Sequence, residues 1–174
     1  MKKVLVVVDI QNDFVDGSLG SEQAADIIPA AVKKIKEFDG DVFVTLDTHF
    51  DDYLETAEGK KLPVRHCIKN TNGWKLNAQI ESVLSERDCT YVEKNTFGSV
   101  DLPKLIASSA GEDELTIELI GLCTDICVVS NALLLKANFP EAAISVDSRC
   151  CAGVTNEKHE AALETMRSCQ IDII

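Results

Sequence analysis

The chain has 174 residues and a formal charge of −12, a length that fits one domain over residues 1–174. Nucleic acid needs a clustered basic surface, and none is visible, so it is excluded as a partner; strongly anionic metabolites are mildly disfavoured. With 45% hydrophobic residues a sizeable core can form, yet no segment is long and apolar enough to cross a membrane.

Lys3–Asp9 reads as a strand, and its apolar run Val4–Val8 closes on Asp9 without a cleavage site, so it is not a signal peptide. With no export signal the expected compartment is the cytoplasm. The seven cysteines are then reduced, and their odd number and the lack of a Cys-x-x-Cys pair argue against a disulfide framework or a zinc ribbon. Ala25–Phe38 carries helical periodicity through Ile27, Ile28, Val32, Ile35 and Phe38, with Pro29 placed where a regular helix starts. Asp41–Asp47 is a second strand, followed by a long polar stretch to Asn72. Trp74–Leu84 reads as a helix, Thr90–Lys94 as a third strand, and Asp101–Ser109 as a short helix with Pro103 in its first turn. Leu115–Gly121 is a strand that stops at glycine, and the helix Leu122–Lys136 follows. Ala142–Asp147 is a fifth strand. Thr155–Cys169 is a helix capped by Thr155, and Gln170–Ile174 closes the chain as a strand.

Repeated strand–helix alternation predicts an α/β fold, a three-layer α-β-α sandwich around a six-stranded, mainly parallel, doubly wound sheet. Ligands of such sheets bind beyond the carboxyl ends of the strands. Asp9, Asp47, Lys94, the Gly121–Cys127 turn and Asp147 all fall at those ends. Cys127 lies in the first turn of its helix, where free N–H groups and the helix dipole favour thiolate. A thiol nucleophile, a carboxylate that moves its proton and an ammonium that lowers both pKa values would form a nucleophilic site. On position alone Cys123 competes with Cys127. Cys67, Cys89, Cys150, Cys151 and Cys169 read as small buried hydrophobes.

Five segments carry a resemblance across essentially the whole chain: Val8-Asp9-Ile-Gln-Asn-Asp-Phe14, Asp47-Thr-His49, His66-Cys-Ile-Lys-Asn-Thr-Asn-Gly73, Glu93-Lys94-Asn-Thr-Phe97 and Gly121-Leu-Cys-Thr-Asp-Ile-Cys-Val128. In this order and spacing they resemble the isochorismatase-like cysteine hydrolases, and within them the nicotinamidases. The resemblance implies the fold of that superfamily, a small-molecule amide as substrate and a homo-oligomer. It implies a catalytic triad of Asp9, Lys94 and Cys127, choosing Cys127 over Cys123. It further implies a cis peptide at Leu122–Cys123 and an oxyanion hole formed by the N–H groups of Cys123 and Cys127.

Asp47-Thr-His49 sets a carboxylate and an imidazole on one side of an extended segment, and His66 returns after the loop. Asp and two His suit zinc, iron or manganese, although by spacing alone two solvated histidines fit as well. The resemblance implies a divalent metal held by Asp47, His49 and His66, zinc being the expected ion, with Glu58 as a fourth ligand and Glu55 behind it. It also implies aromatic rings flanking the substrate. Phe14 matches one; where the second is expected, Leu62 or Pro63 stands instead, which puts the substrate's identity in question but not the reaction class. Phe97 can supply part of the wall, Trp74 is expected to pack its helix on the sheet, and His159 to be solvated. Three rival readings remain: hydrolysis of another small amide such as an N-carbamoyl compound or a ureide, an isochorismatase, which Cys127 disfavours, and a non-catalytic nucleotide-binding module, which lacks its glycine loop after the first strand.

Overall fold

The computed structural model describes residues 1–111 and 114–174. Six strands form one sheet: β1 Lys2–Val8, β2 Asp41–Asp47, β3 Cys89–Lys94, β4 Leu115–Leu122, β5 Ala143–Ala152 and β6 Asp172–Ile173. Their order is β3-β2-β1-β4-β5-β6, and every pairing is parallel. The chain starts at the centre, winds outward through β2 to β3, then returns to lay β4 on the other side of β1. Crossovers of one hand taken in opposite directions place helices on both faces.

Strand alternation sorts the core into two layers. On one face Leu5, Val7, Val42, Val44, Ile120 and Leu122 meet α3 (Ile28–Glu37) and α5 (Ala78–Leu84). On the other, Val4, Val6, Val8, Ile117 and Leu119 meet α6 (Leu102–Ala110), α7 (Val129–Asn138) and α8 (Asn156–Ser168). Strands covered on both faces read as continuous apolar runs, which is why Val4–Val8 shows no polar alternation.

Several elements differ from their expected bounds. The Ala25–Phe38 helix is two: α2 (Glu22–Asp26), capped by Ser21, and α3, with Pro29 in its first turn, where no N–H is needed. Two single-turn helices, α1 (Asn12–Val15) and α4 (Ala57–Lys61), lie in segments read as loop. Trp74 is not on a helix, because Asn77 caps α5 and starts it only at Ala78. A π-helical turn, Thr124–Val128, precedes α7. The Leu122–Cys123 peptide is cis.

β5 runs on past Asp147 to Ala152. Between the pairs Leu119–Val146 and Gly121–Cys151 it carries extra residues as a bulge. The bulge takes Asp147 out of the strand-end set. Its carboxylate lies 3.0 Å from the Lys34 ammonium and 2.8 Å from the Arg149 guanidinium, and burial and function part company there. Two further expectations fail on contacts. Cys169 is exposed. His159 is half-buried, its Nδ1 2.8 Å from the Thr124 hydroxyl, so it braces the turn that carries Cys127.

Candidate active site

Asp9 and Cys127 follow β1 and β4, the two central strands between which the winding reverses, so the site opens at the switch point of the sheet. The two strands come unusually close there. Gly121 has φ +127°, and a Cβ on it would lie 2.0 Å from the Val8 carbonyl oxygen, so only glycine fits. Asp9 itself turns into the left-handed region at φ 47°, which aspartate tolerates better than most residues. Its Oδ1 accepts the Thr45 hydroxyl at 2.6 Å, and its Oδ2 lies 2.6 Å from the Lys94 ammonium.

Lys94, at the end of β3, is the hub. Its Nζ also lies 3.5 Å from Cys127 Sγ and 3.4 Å from Asp47 Oδ1. Three side chains from three distant stretches are thus gathered with little water: Asp9 is 0% exposed, Lys94 and Cys127 5% each. Burial dominates the acidities of Asp9 and Cys127. It raises Asp9 above the ordinary carboxylate range despite the Lys94 charge. Burial, reinforced by the Asp9 charge, pushes the Cys127 thiol well up. Desolvation thus opposes the thiolate that the helix start favours. Lys94 is raised, because the Asp9, Cys127 and Asp47 charges overcome its own burial, so it stays an ammonium.

The second cluster shares Asp47. The donor atoms of Asp47, His49 and His66 lie within 4.8 Å of one another. His49 Nε2 is 3.0 Å and His66 Nε2 3.5 Å from Asp47 Oδ2, and both are 3.7 Å from Glu58 Oε1. His66 Nδ1 faces the Val64 carbonyl at 2.8 Å. A carbonyl can only accept, so Nδ1 carries the proton and the neutral ring offers its Nε2 lone pair to the cluster. His49 Nε2 is buried and, although 3.0 Å from Asp47 Oδ2, makes no well-aligned hydrogen bond among the described residues. An orphaned buried imidazole nitrogen aimed at a carboxylate and a second imidazole is what a divalent cation would satisfy, so the donor set fits a metal. Glu58, half-buried on α4, faces both rings; Glu55 is exposed and faces neither.

Backbone pairing brings the histidines together. The His49 N–H donates to the Cys67 carbonyl at 2.9 Å, and the Lys69 N–H to the His49 carbonyl at 2.9 Å. This short parallel bridge returns the loop to its origin. Gln11, fully buried, accepts the Asp47 N–H at 2.8 Å and donates to the Asp47 and Trp74 carbonyls at 2.8 Å each. Asp13 accepts the Cys67 N–H at 2.8 Å. Trp74 donates its indole N–H to the Thr48 hydroxyl at 2.9 Å, so it braces this rim rather than α5. Asn131, one helical turn after the nucleophile candidate, donates to the Cys127 carbonyl at 2.8 Å and accepts the Ser99 N–H at 2.9 Å, fixing the 97–99 loop beside it.

Of the expected wall residues, Phe14 lies with its ring 5.5 Å from that of His66. Leu62 and Phe97 line a cavity of about 660 Å³ that also touches His49, Tyr53, Glu58 and Ile126. Tyr53 joins this wall without a motif to mark it. It is fully buried, and its ring sits 4.7 Å from His49 and 5.0 Å from His66. Its only signal in the sequence is that it is the second aromatic residue, after Phe50, in a mostly polar loop, four positions after His49.

The profile of the isochorismatase domain matches residues 3–174. The chain is 33% identical to an uncharacterized isochorismatase family protein, PncA, of Bacillus subtilis, over 94% of this chain and 93% of that one. Its fold superposes on the crystal structure of the nicotinamidase/pyrazinamidase PncA from Bacillus subtilis with a TM-score of 0.86 at 27% identity, covering 99% of both chains. It also superposes on the pyrazinamidase of Pyrococcus horikoshii in complex with zinc, with a TM-score of 0.80 at 25% identity, covering 100% of this chain and 99% of that one.

Proposed function

The chain belongs to the isochorismatase family and is an amidohydrolase of nicotinamidase type, and we propose that it hydrolyses nicotinamide to nicotinate and ammonia through a thioester on Cys127. The observation that carries this reading is the single ammonium of Lys94 lying 2.6 Å from Asp9 and 3.5 Å from Cys127, next to a buried donor set for a metal.

Asp9 accepts the thiol proton as Cys127 Sγ bonds to the amide carbon. A carboxylate raised by burial is a stronger base than an ordinary one, which suits it to a thiol that is itself hard to ionise. Lys94 stays positive beside the sulfur and offsets the negative charge the transfer creates. The backbone N–H groups of Cys123 and Cys127 receive the carbonyl oxygen as it gains charge. Asp9 returns the proton to the nitrogen, the C–N bond breaks and ammonia leaves. Asp9 then deprotonates a water that attacks the thioester; nicotinate departs and the sulfur regains its proton. Asp47, His49 and His66, with Glu58, would hold the divalent cation, zinc by its donor set with iron or manganese as alternatives, and when bound it supplies a Lewis-acid anchor for the pyridine nitrogen. Phe14, Leu62 and Phe97 wall the substrate. The proposed setting is the cytoplasm, where the seven free thiols persist.

The direct test is ammonia release from nicotinamide. Removing the metal with a chelator is expected to raise KM about tenfold or more with a smaller change in kcat, because a binding anchor and not a reacting group is lost. Zinc should restore the original value. An unchanged KM in metal-free protein would remove the anchor from this reading. An N-carbamoyl amide or a ureide, assayed alongside, would displace nicotinamide if its kcat/KM were the higher.

A further inference from the structure

We infer that the preferred substrate is larger than an unsubstituted pyridinecarboxamide: a heteroaromatic carboxamide with a neutral, apolar substituent on its ring. The inference rests on the amidase reading above and concerns the extent of the same site.

The open cleft beside His49 has a volume of about 660 Å³. Cavities of roughly 300–1,000 Å³ take drug-sized ligands, and one pyridine ring with one carboxamide occupies a minor part of such a space. Its wall runs from His49 and Glu58, at the metal donors, to Ile126, the neighbour of Cys127 in the chain. Cys127, Asp9 and Lys94 lie beyond this wall, so a ring reaching from the donors toward the sulfur occupies the inner edge of the cavity and leaves the rest open.

The remaining wall sets exposed apolar side chains among the polar groups of Thr48, Thr56, Asn95 and Thr96. Phe50, Leu62 and Phe97 line the cavity and are 55%, 37% and 48% exposed. Three large apolar side chains gathered at one active-site mouth expose surface that an apolar group would cover favourably.

These walls are held in place. The Tyr53 hydroxyl donates to the Leu62 carbonyl at 2.9 Å. The Thr56 hydroxyl donates to the Tyr53 carbonyl at 2.7 Å and accepts the Gly59 N–H at 3.0 Å. A Cβ at Gly59 would lie 2.0 Å from the Tyr53 carbonyl oxygen, so this loop already packs as tightly as its backbone allows. On the far side, Asn131 donates to the Phe97 carbonyl at 3.3 Å. The cavity is a feature of a braced loop and does not depend on a slack one.

The substituent belongs on the ring and not on the departing nitrogen. Leu62, Ala57 and Tyr53 stand on the segment that carries Glu58, the end at which the ring nitrogen is received. Neutral character follows from a rim on which Lys61, Asp52 and Glu58 mix both signs.

The test compares nicotinamide with a nicotinamide bearing a phenyl group meta to the carboxamide, using the full-length protein supplemented with zinc. Ammonia release gives kcat/KM, and calorimetry gives Kd for the two corresponding acids. The phenyl amide is expected to exceed nicotinamide about tenfold or more in kcat/KM, with a matching gain in acid binding. Leu62→Trp, which fills the space, should reverse the preference, and Phe97→Ala should reduce it. Nicotinamide turned over as well as the phenyl amide, or nicotinate bound as tightly as the phenyl acid, would overturn the inference. Tighter binding of the phenyl acid with no turnover of either amide would count against the amidase reading and for the cavity.

Discussion

Replacing Cys127 with alanine is expected to abolish ammonia release, lowering kcat by about 10⁴-fold or more, because it removes the sulfur proposed to form the acyl intermediate. The same substitution at Cys123 is expected to leave most of the activity. Cys123 packs its side chain against the core layer under α3 and α5, and the share in catalysis proposed for it is a backbone N–H that alanine keeps. The pair separates a nucleophile from a neighbour that merely lies in the same turn. Circular dichroism should show both variants folded, since alanine at either position removes one sulfur from an otherwise intact turn. A Cys127→Ala rate within about tenfold of the parent would end the thioester mechanism, because loss of a true nucleophile is not compensated by the remaining groups.

What the sequence made legible follows from how locally each feature is encoded. Asp9, Lys94 and Cys127 could be placed at one rim because each sits at a strand end or just past one, and strand direction in a parallel sheet sends all such ends to the same edge. Asp47 and His49 share a segment and were placed by the same logic. Gln11, Asn131 and Tyr53 carried no such mark. Their roles are hydrogen bonds and ring contacts to residues far along the chain, such as Gln11 with the Asp47 backbone, and no local pattern specifies them. Asp147 leaves the strand-end set because a bulge in β5 cannot be read from apolar spacing. The acidity of Cys127 has a local and a non-local part: the dipole at a helix start is a property of the local sequence, whereas the burial that opposes it comes from the core layer in which the sulfur lies.

Lys94→Met should be nearly as damaging, and it does so in two separable ways. Methionine keeps the length and the packing but removes the charge shared by Asp9, Cys127 and Asp47. Asp9, 0% exposed, is left as a buried carboxylate without its ion-pair partner, a loss worth about 3–5 kcal/mol when the carboxylate is ionised. Its pKa, already raised by burial, rises further because the Lys94 charge was the main influence lowering it. The sign then follows. A carboxyl whose folded pKa lies above its ordinary 3.8 holds its proton more tightly folded than unfolded, so its contribution is present at low pH and is lost as pH rises through the folded value. The stability deficit of Lys94→Met relative to the parent should therefore be largest at about pH 8 and shrink on acidification, as urea midpoints at the two pH values would show. Catalysis moves the opposite way. Asp9 must be ionised to take the thiol proton, so the acid limb of kcat/KM should shift to higher pH in the variant, and kcat on its plateau should fall by about 10²–10⁴-fold. An unshifted acid limb, or a deficit that grows as pH falls, would show that Lys94 does not govern the proton on Asp9.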